Sequence, residues 1–240
     1  MAYFVLIHGA WQGAWCWSQI VPRLESRGHQ ALALDLPSHG EDPTPPEKVG
    51  LQDYVQAVVG CVEELDAPPI LVGHSMGAVV VAQVAEQIPD RIRAIVSVAS
   101  SEPPDGASML QMVGGSAPEY LSELVWSPDR RTASITPAGV RNFFYNLCSP
   151  DVTDQAISRF KPQAVTPYEA AIRITQERYG RVPRFYIGCG QDRVVGRELQ
   201  HRMCNGLPDD RIFSIDADHS PFFSAPEELT ACLERVAQSL

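Results

Sequence analysis

The sequence lacks the features that mark membrane, secreted and nucleic-acid-binding proteins. No apolar run reaches the ~18 residues that a membrane-spanning helix needs, and the opening segment MAYFVLIHGAW has no positively charged leader. Basic residues are few, 19 against 29 acidic ones, and the net charge of −10 is unfavourable for binding nucleic acid or anionic lipid. We expect a cytoplasmic protein that neither binds nucleic acid nor enters a membrane, and solubility alone accounts for its acidity.

The sequence also lacks the motifs that hold cofactors and metals. It has no phosphate-binding loop, no dinucleotide fingerprint and no metal-ligand spacing of histidine and cysteine. Its six cysteines include no C-x-x-C pair, and several lie in apolar runs, where a thiol behaves as a small buried hydrophobe. We expect free thiols in a reducing compartment, and chemistry that needs neither cofactor nor metal. The even number of cysteines leaves disulfides open.

What the chain does contain is an alternation of short apolar runs with helix-length segments, in a length of 240 residues that suits one domain. The predicted strands are Phe4–His8, Gln30–Leu34, Ile70–Val72, Ile92–Val98, Arg184–Cys189 and Arg211–Ile215. The clearest predicted helices are Leu51–Leu65, Ala78–Gln87 and Pro226–Ser239. Continuous apolar strands separated by helices are typical of a parallel sheet covered on both faces. The pattern predicts an α/β fold with a mainly parallel six-stranded sheet flanked by helices.

The alternation stops in the middle of the chain. Between about Ser101 and Gly180 the sequence has many prolines, short amphipathic pieces and no clear buried strand. Long structureless connections are rare in compact domains, so we predict a helical cap insertion, residues 101–180, in a core formed by residues 1–100 and 181–240. Such an insertion would lie over the carboxyl ends of the strands, where open α/β sheets bind their ligands. A set of ordinary surface loops is the alternative.

The strongest motif is Gly73-His74-Ser75-Met76-Gly77, directly after one predicted strand and directly before a helix. This is the context of the G-x-S-x-G elbow, in which a sharp strained turn projects the serine hydroxyl from the top of the sheet. The following helix points its N-terminus at the reaction centre, where it favours developing negative charge. A tight glycine-rich turn without chemistry is the alternative. The motif makes Ser75 the candidate nucleophile.

A serine hydroxyl is a weak nucleophile at neutral pH and needs a general base. His219 lies between the last predicted strand and the final helix, where enzymes of this type carry that base. We interpret His201 and His29 as surface residues, and His8 and His74 as buried structural histidines.

The base in turn needs a carboxylate that fixes its tautomer. Asp192 follows the strand Arg184–Cys189 and is the candidate. Asp216 and Asp218 share the loop of the histidine, too close to reach behind its ring, and Asp35 is the weaker alternative.

Acyl transfer also needs two donors for the oxyanion, usually backbone N–H groups. One is expected from Met76, the residue after the nucleophile. The second is expected from Ala10, in the loop after the first strand, where Gly9 lets the backbone approach the substrate.

Six segments together resemble the plant methylesterase and hydroxynitrile lyase family, and they extend over nearly the whole chain. They are FVLIHGAWQGAWCW, HQALALDLPSHG, ILVGHSMGA, FYNLCSPDVTD, RFYIGCGQD and DADHSPFFSAPEEL. The resemblance implies the α/β-hydrolase fold with a helical cap, no cofactor and, for many members, a homodimer. It places Ser75, Asp192 and His219 in the triad, and Ala10 and Met76 in the oxyanion hole.

Lyases and esterases of that family share the triad, and two positions argue against a lyase. The S-selective lyases carry Thr after the first-loop histidine and Lys after the catalytic histidine, where this chain has Gly9 and Ser220. The lysine charge that receives cyanide is therefore missing. Another type of lyase uses Asn in the first loop, and no Asn occurs there. Ser220 also replaces the Met common in the plant esterases, which leaves the plant substrates open.

Aromatic and thioether side chains are expected to line the substrate pocket. They are Trp11, Trp126, Phe143, Phe144, Phe222, Met109 and Met112, each of which has packing between cap and core as its alternative role. An apolar pocket favours small hydrophobic or aromatic carboxylic esters, possible methyl esters among them, and we predict a serine esterase that acts on them through an acyl-enzyme. The alternatives are lyase-like C–C cleavage and a receptor that keeps the triad but uses the pocket for a small-molecule signal.

Overall fold

The computed structural model describes residues 1–101, 104–116 and 119–240. Its strands are β1 (Tyr3–Ile7), β2 (Gln30–Leu34), β3 (Ile70–His74), β4 (Ala94–Val98), β5 (Leu124–Trp126), β6 (Thr132–Ile135), β7 (Gln163–Ala164), β8 (Arg184–Cys189) and β9 (Ile212–Ile215). Its α-helices are α1 (Ile20–Ser26), α2 (Leu51–Glu63), α3 (Met76–Gln87), α4 (Met109–Ser116), α5 (Pro137–Gly139), α6 (Pro150–Arg159), α7 (Thr166–Glu169), α8 (Arg197–Cys204), α9 (Pro221–Ser224) and α10 (Pro226–Gln238).

The central sheet has six strands in the order β2-β1-β3-β4-β8-β9, and every neighbouring pair is parallel. Strands β3 and β4 are buried along their whole length, as their continuous apolar sequences require. Register pairs Gly73 of β3 with Ile7 of β1 on one side and with Ser97 of β4 on the other. The predicted parallel sheet is confirmed, and its central strand delivers the Ser75 motif to the carboxyl edge.

Helices flank this sheet as their apolar faces require. Helix α2 packs on α3, which packs on β3 and β4, and α1 packs on α10, which contacts β8 and β9. In α10 the buried residues recur at helical spacing, Leu229, Leu233 and Val236 among them. The helix begins at Pro226, whose missing N–H is not needed in the first turn.

The cap segment (residues 101–180) connects β4 to β8. It contains α4 to α7, a π-helical turn at Val140–Phe144, and a small antiparallel sheet in the order β5-β6-β7. The sequence predicted helices here but not this sheet, because strands of two to four residues are too short to show an alternating pattern. The division of the chain into core and cap stays a prediction.

The six cysteines are all free thiols. Burial raises the pKa of each of them, and Cys16 and Cys189 show the clearest effect. Within the described ranges, no helix combines the length and the apolarity that crossing a membrane requires.

Candidate active site

Ser75 occupies a strained corner between β3 and α3. Its backbone has φ 51° and ψ −121°, a conformation that residues other than glycine rarely adopt. Its N–H donates to the carbonyl of Val98 at 3.0 Å, and its own carbonyl accepts from Ala78 N–H at 3.1 Å. The neighbouring strand and the first turn of the helix thus hold the corner, and within the elbow Gly73–Gly77 the positive φ falls on Ser75, the predicted nucleophile.

Glycine is required on both sides of this serine. A Cβ at Gly73 would lie 2.5 Å from the carbonyl oxygen of Gly77 and 2.6 Å from the backbone of Ala78. A Cβ at Gly77 would lie 2.6 Å and 2.7 Å from the carbonyl oxygens of His8 and Ile7. Both approaches are to backbone, which has no rotamer through which to move away. The elbow is therefore packed main chain against main chain.

His219 and Asp192 form a buried pair, although 26 residues separate them along the chain. His219 Nδ1 donates to Asp192 Oδ2 at 2.9 Å, and the two side chains are 1% and 0% exposed. The other carboxylate oxygen accepts the N–H groups of Val194 at 2.7 Å and Val195 at 2.9 Å. Because the carboxylate accepts from Nδ1, the neutral ring carries its proton there and leaves the lone pair of Nε2 free.

Nε2 of His219 is buried and has no hydrogen-bond partner among the described residues. The ring lies beside His74, with centroids 4.8 Å apart, and His74 Nε2–H donates to the carbonyl of His219 at 2.7 Å. The residue directly before the candidate nucleophile thus fixes the main chain of the candidate base. The arrangement leaves the base nitrogen unpaired beside the elbow residue His74, and among the described residues no hydrogen bond joins it to Ser75 Oγ.

The two histidines interpreted as structural lie in the core. Burial lowers the pKa of His74 well below its ordinary value, and the neighbouring His219 lowers it further. Burial also lowers the pKa of His8, whose Nε2 accepts from Leu36 N–H at 3.1 Å and whose Nδ1 donates to the carbonyl of Gly9 at 2.7 Å. Both rings are therefore neutral at pH 7, and their role is to hydrogen-bond backbone groups in the core.

Ala10 and Met76 bring two backbone N–H groups to the same corner. A Cβ at Gly9 would lie 3.0 Å from Cβ of Ser75, so the first loop passes directly over the serine. Met76 is the first residue of α3, where helical amides have no intrahelical acceptor. Neither amide donates to another group within the described ranges of the chain. A tetrahedral oxyanion needs two unpaired donors of this kind, and the pairing of these two amides in one oxyanion hole stays a prediction.

Trp11 fastens the first loop to the cap segment. Its backbone is left-handed, with φ 64°. Its carbonyl accepts from Lys161 N–H at 2.9 Å, and its indole N–H donates to the carbonyl of Ala133 at 2.8 Å. A longer hydrogen bond of 3.4 Å joins its N–H to Gln163 Oε1. The cap thus constrains the residue that follows the predicted oxyanion donor Ala10.

The rival carboxylates lie elsewhere. Asp35 accepts from Ala14 N–H at 2.6 Å and from Glu41 N–H at 3.0 Å, and so organises two loops. Asp216 accepts from the side chain of Gln191 at 3.0 Å. Asp218 is buried and accepts from Ser220 N–H at 2.9 Å. Among these aspartates, the carboxylate on His219 Nδ1 is that of Asp192.

Two cavities with shared lining residues lie at the serine and beside it. A small one of about 50 Å³ is lined by Ser75, Met76, Ser101, Met109, Met112, Tyr120, Tyr168, Val194, Val195 and Leu199. A larger one of about 190 Å³, in the cap, is lined by Trp11, Leu110, Tyr120, Leu121, Leu124, Trp126, Ala133, Gln163, Ala164, Val165 and Tyr168. We call them the serine cavity and the cap chamber. They share Tyr120 and Tyr168.

The predicted pocket residues divide between these cavities and the core. Trp11 and Trp126 line the cap chamber, and Met109 and Met112 line the serine cavity. Phe144 is buried with its ring edge-to-face on His219, centroids 5.2 Å apart, and on Trp11 at 5.6 Å.

Phe144 lines neither cavity, and two further predicted residues also lie away from both. Phe143 lines a different surface cavity, together with Arg193 and Glu198. Phe222 is fully buried against Trp17 and His74, and so packs beneath the site instead of lining it.

Sequence reasoning missed Tyr120, Tyr168, Gln163 and Leu199. No motif marks them, because they come from separate short elements of the cap and from α8, which only the folded chain brings together. Across the described residues, no cluster of three or more histidine, cysteine, aspartate or glutamate side chains could hold a metal ion.

A strained serine at a strand–helix corner, a histidine–aspartate pair and two free amides define the class of α/β hydrolases with a serine elbow. A family model described as "Alpha/beta hydrolase family" matches residues 4–231. The chain belongs to the alpha/beta hydrolase family, in its group of plant methylesterases.

The relatives agree with that assignment. Methylesterase 7 of Arabidopsis thaliana is 34% identical over 250 residues, which cover 98% of this chain and 95% of that protein. Salicylic acid-binding protein 2 of Nicotiana tabacum is 31% identical over 252 residues, with 98% and 96% covered. The crystal structure of polyneuridine aldehyde esterase superimposes with a TM-score of 0.89 at 25% identity, over 99% of each chain.

Proposed function

We propose that the protein is a serine esterase that hydrolyses small hydrophobic or aromatic carboxylic esters, with Ser75 as nucleophile, His219 as general base and Asp192 as its orienting carboxylate. The observation that carries the proposal is the 2.9 Å bond between His219 Nδ1 and Asp192 Oδ2, which leaves Nε2 unpaired beside the elbow. Relatives named methylesterases and methyl jasmonate esterase support the reaction class.

In the first half-reaction, Ser75 Oγ attacks the ester carbonyl carbon while His219 Nε2 takes the hydroxyl proton. The carbonyl electron pair moves to oxygen, and the resulting oxyanion is stabilised by the N–H groups of Ala10 and Met76. When the tetrahedral intermediate collapses, the leaving alkoxide takes the proton from Nε2. The products are a free alcohol and an acyl-enzyme on Ser75.

In the second half-reaction, water attacks the acyl carbon and gives a proton to Nε2. Collapse releases the carboxylic acid and returns the proton to Ser75 Oγ. Throughout, Asp192 holds the ring in one tautomer and stabilises the imidazolium, while Val194 and Val195 N–H groups hold Asp192. Phe144 covers the ring and excludes water from that side.

The two cavities indicate the shape of the ester. The serine cavity, about 50 Å³, has room for only a few atoms beyond the reacting carbonyl, and a methyl alcohol group meets that limit. The cap chamber, about 190 Å³ and lined mostly by apolar side chains, suits the hydrophobic or aromatic acid part. The acid part accordingly reaches past Trp11 towards Trp126.

Turnover of p-nitrophenyl acetate by the wild type and by Ser75→Ala tests the proposal. We expect kcat to fall about 10⁶-fold in the variant, because triad residues act as a unit. Equal and negligible rates in both proteins would refute the esterase, and tight ligand binding without turnover would then indicate a receptor. Release of cyanide from mandelonitrile would instead indicate the lyase.

We also propose a cytoplasmic location and a homodimer. The six free thiols support a reducing compartment. Two of the relatives are named as chloroplastic, so the compartment of this protein needs its own test. The family resemblance supports the dimer, and light scattering coupled to size exclusion tests it against the chain mass of 26.3 kDa.

A further inference from the structure

In the part of the chain that the structure describes, Tyr120 and Tyr168 are the residues that line both the serine cavity and the cap chamber. They therefore form the neck between the two spaces. Tyr120 is 7% exposed, and its ring packs edge-to-face on Phe144, which in turn packs on His219. The neck is thus positioned by the same aromatic contacts that cover the candidate base.

Neither neck hydroxyl has a hydrogen-bond partner among the described residues. Neither hydroxyl oxygen is fully enclosed by protein, so each one reaches the cavity surface. Buried phenols normally find a partner, and an unpaired one loses the energy of a hydrogen bond. Tyr54, a third buried tyrosine, shows the ordinary case, since its hydroxyl accepts from Gln163 Nε2 at 3.1 Å.

We propose that the Tyr120 and Tyr168 hydroxyls bind a neutral oxygen substituent, a hydroxyl or a ketone, on the acid part of the substrate. This inference rests on the proposed esterase function and narrows it to esters of hydroxy or oxo acids. The oxygen lies between the reacting carbonyl at Ser75 and the apolar tail in the cap chamber, because the neck lies between those two spaces.

A neutral substituent fits the surroundings better than a charged one. Among the described residues, no lysine or arginine lines either cavity, so a carboxylate or phosphate would enter without a counter-ion. Burial, and to a smaller extent the nearby Asp192, raises the pKa of Tyr120 to about 12, and burial also raises the pKa of Tyr168. Both phenols therefore keep their protons at neutral pH and can donate to a carbonyl or exchange hydrogen bonds with a hydroxyl.

The test compares matched methyl esters in matched variants. The reference substrate is methyl 3-phenylpropanoate, and its partners carry a hydroxyl at carbon 2, a hydroxyl at carbon 3 or a ketone at carbon 3. Each is assayed with the wild type, Tyr120→Phe, Tyr168→Phe and the control Tyr54→Phe. The measured quantity is kcat/KM for each oxygenated ester divided by kcat/KM for the reference, so that effects common to all substrates cancel.

We expect this ratio to fall about tenfold for at least one oxygenated ester in Tyr120→Phe or Tyr168→Phe, and to stay within about twofold in Tyr54→Phe. Unchanged ratios for every ester in both neck variants would overturn the inference and show that the two hydroxyls hydrogen-bond water and not the substrate. An equal fall in Tyr54→Phe would also overturn it, because a general packing effect would then be the cause.

The two proposals fail in different ways. If the wild type hydrolyses the reference ester and the ratios do not move, the esterase stands and the neck inference falls. If the wild type hydrolyses none of the esters, while circular dichroism shows it folded, the esterase proposal itself fails and the neck inference fails with it.

Discussion

Asp218 Oδ2 accepts the N–H of Leu147 at 2.8 Å and so joins the loop of His219 to the cap segment. The other oxygen of the same buried carboxylate accepts from Ser220 N–H at 2.9 Å and Ser224 Oγ at 2.7 Å. One side chain thus holds both flanks of the candidate base loop and the cap. Asp218 is a positioning residue, since its bonds are to protein and not to substrate.

Asp218→Asn should lower kcat more than it changes KM. The amide keeps one acceptor oxygen but turns an N–H₂ group towards a backbone N–H that can only donate, so either the Leu147 or the Ser220 bond is lost. We expect about a tenfold lower kcat and a free energy of unfolding lower by about 1–3 kcal/mol. Steady-state kinetics and urea unfolding measure the two effects.

Ser224→Ala is the control for Asp218→Asn. It removes one donor from the same carboxylate while the bonds to Leu147 and Ser220 remain. We expect it to cost about 1 kcal/mol of stability or less and to leave kcat within about threefold. If both variants lose kcat equally, the link to the cap has no part in the effect.

Asp192→Asn should reduce kcat about 10⁴-fold with the protein still folded, because the amide stabilises the wrong tautomer of His219. Asp35→Asn, at the other candidate carboxylate, should retain most of the activity. Esterase assays on both variants, with thermal melting as the check on folding, decide between them. The assignment would be wrong if Asp35→Asn were the inactive variant.

Gly77→Ala should abolish activity and lower stability. The added methyl would lie 2.6 Å from the carbonyl oxygen of His8, and backbone must move to admit it. Gly60→Ala, in the interior of α2 with open space around it, should instead raise the free energy of unfolding by about 0.5–1 kcal/mol. Urea unfolding of both variants measures the change in the free energy of unfolding. A decrease for Gly77→Ala and an increase for Gly60→Ala would show that the close backbone contact, and not the loss of a glycine, decides the sign of that change.

Stability should fall as the pH falls below about 6.5, the ordinary pKa of an unfolded histidine. Burial depresses the pKa of His8 and His74 in the folded protein, so only the unfolded chain takes up these protons as the solution is acidified. Each of the two rings should then lower the free energy of unfolding by up to about 1.4 kcal/mol per pH unit. Above pH 7 neither ring should make this free energy depend appreciably on pH. Urea unfolding at pH 7.5, 6.5 and 5.5 measures the slope.

Two variants, His74→Gln and His201→Gln, test whether the buried histidines cause this change of the free energy of unfolding with pH. The first removes a buried ring and should reduce the slope below pH 6.5. The second removes a histidine from the exposed face of α8 and controls for the loss of any histidine. An equal reduction in both would contradict the assignment of the slope to burial.

The sheet was predictable because each of its strands is a continuous apolar run between helix-length segments. Gln30–Leu34 and Arg184–Cys189 have the predicted bounds, and the remaining strands differ by two residues or fewer at either end. The elbow was predictable for a local reason, since its glycines adjoin the serine in sequence. The pairing of His219 with Asp192 followed from chain order alone.

The cap was less predictable because its contacts are tertiary. The neck tyrosines stand 48 residues apart, and no periodic pattern connects them. Phe222 illustrates the same limit, because an aromatic residue next to the candidate base suits a cavity wall and a core equally well. Its place was decided by the space between Trp17 and His74, which the sequence does not show.

The contact of Gly77 with the carbonyl oxygens of β1 and its loop has an evolutionary consequence. The nucleophile is located by main chain alone, and none of that main chain belongs to residues 101–180. Mutations that reshape the cap chamber can therefore accumulate without disturbing the reacting serine. Substrate preference can diverge in such a lineage while the bond-breaking chemistry stays the same.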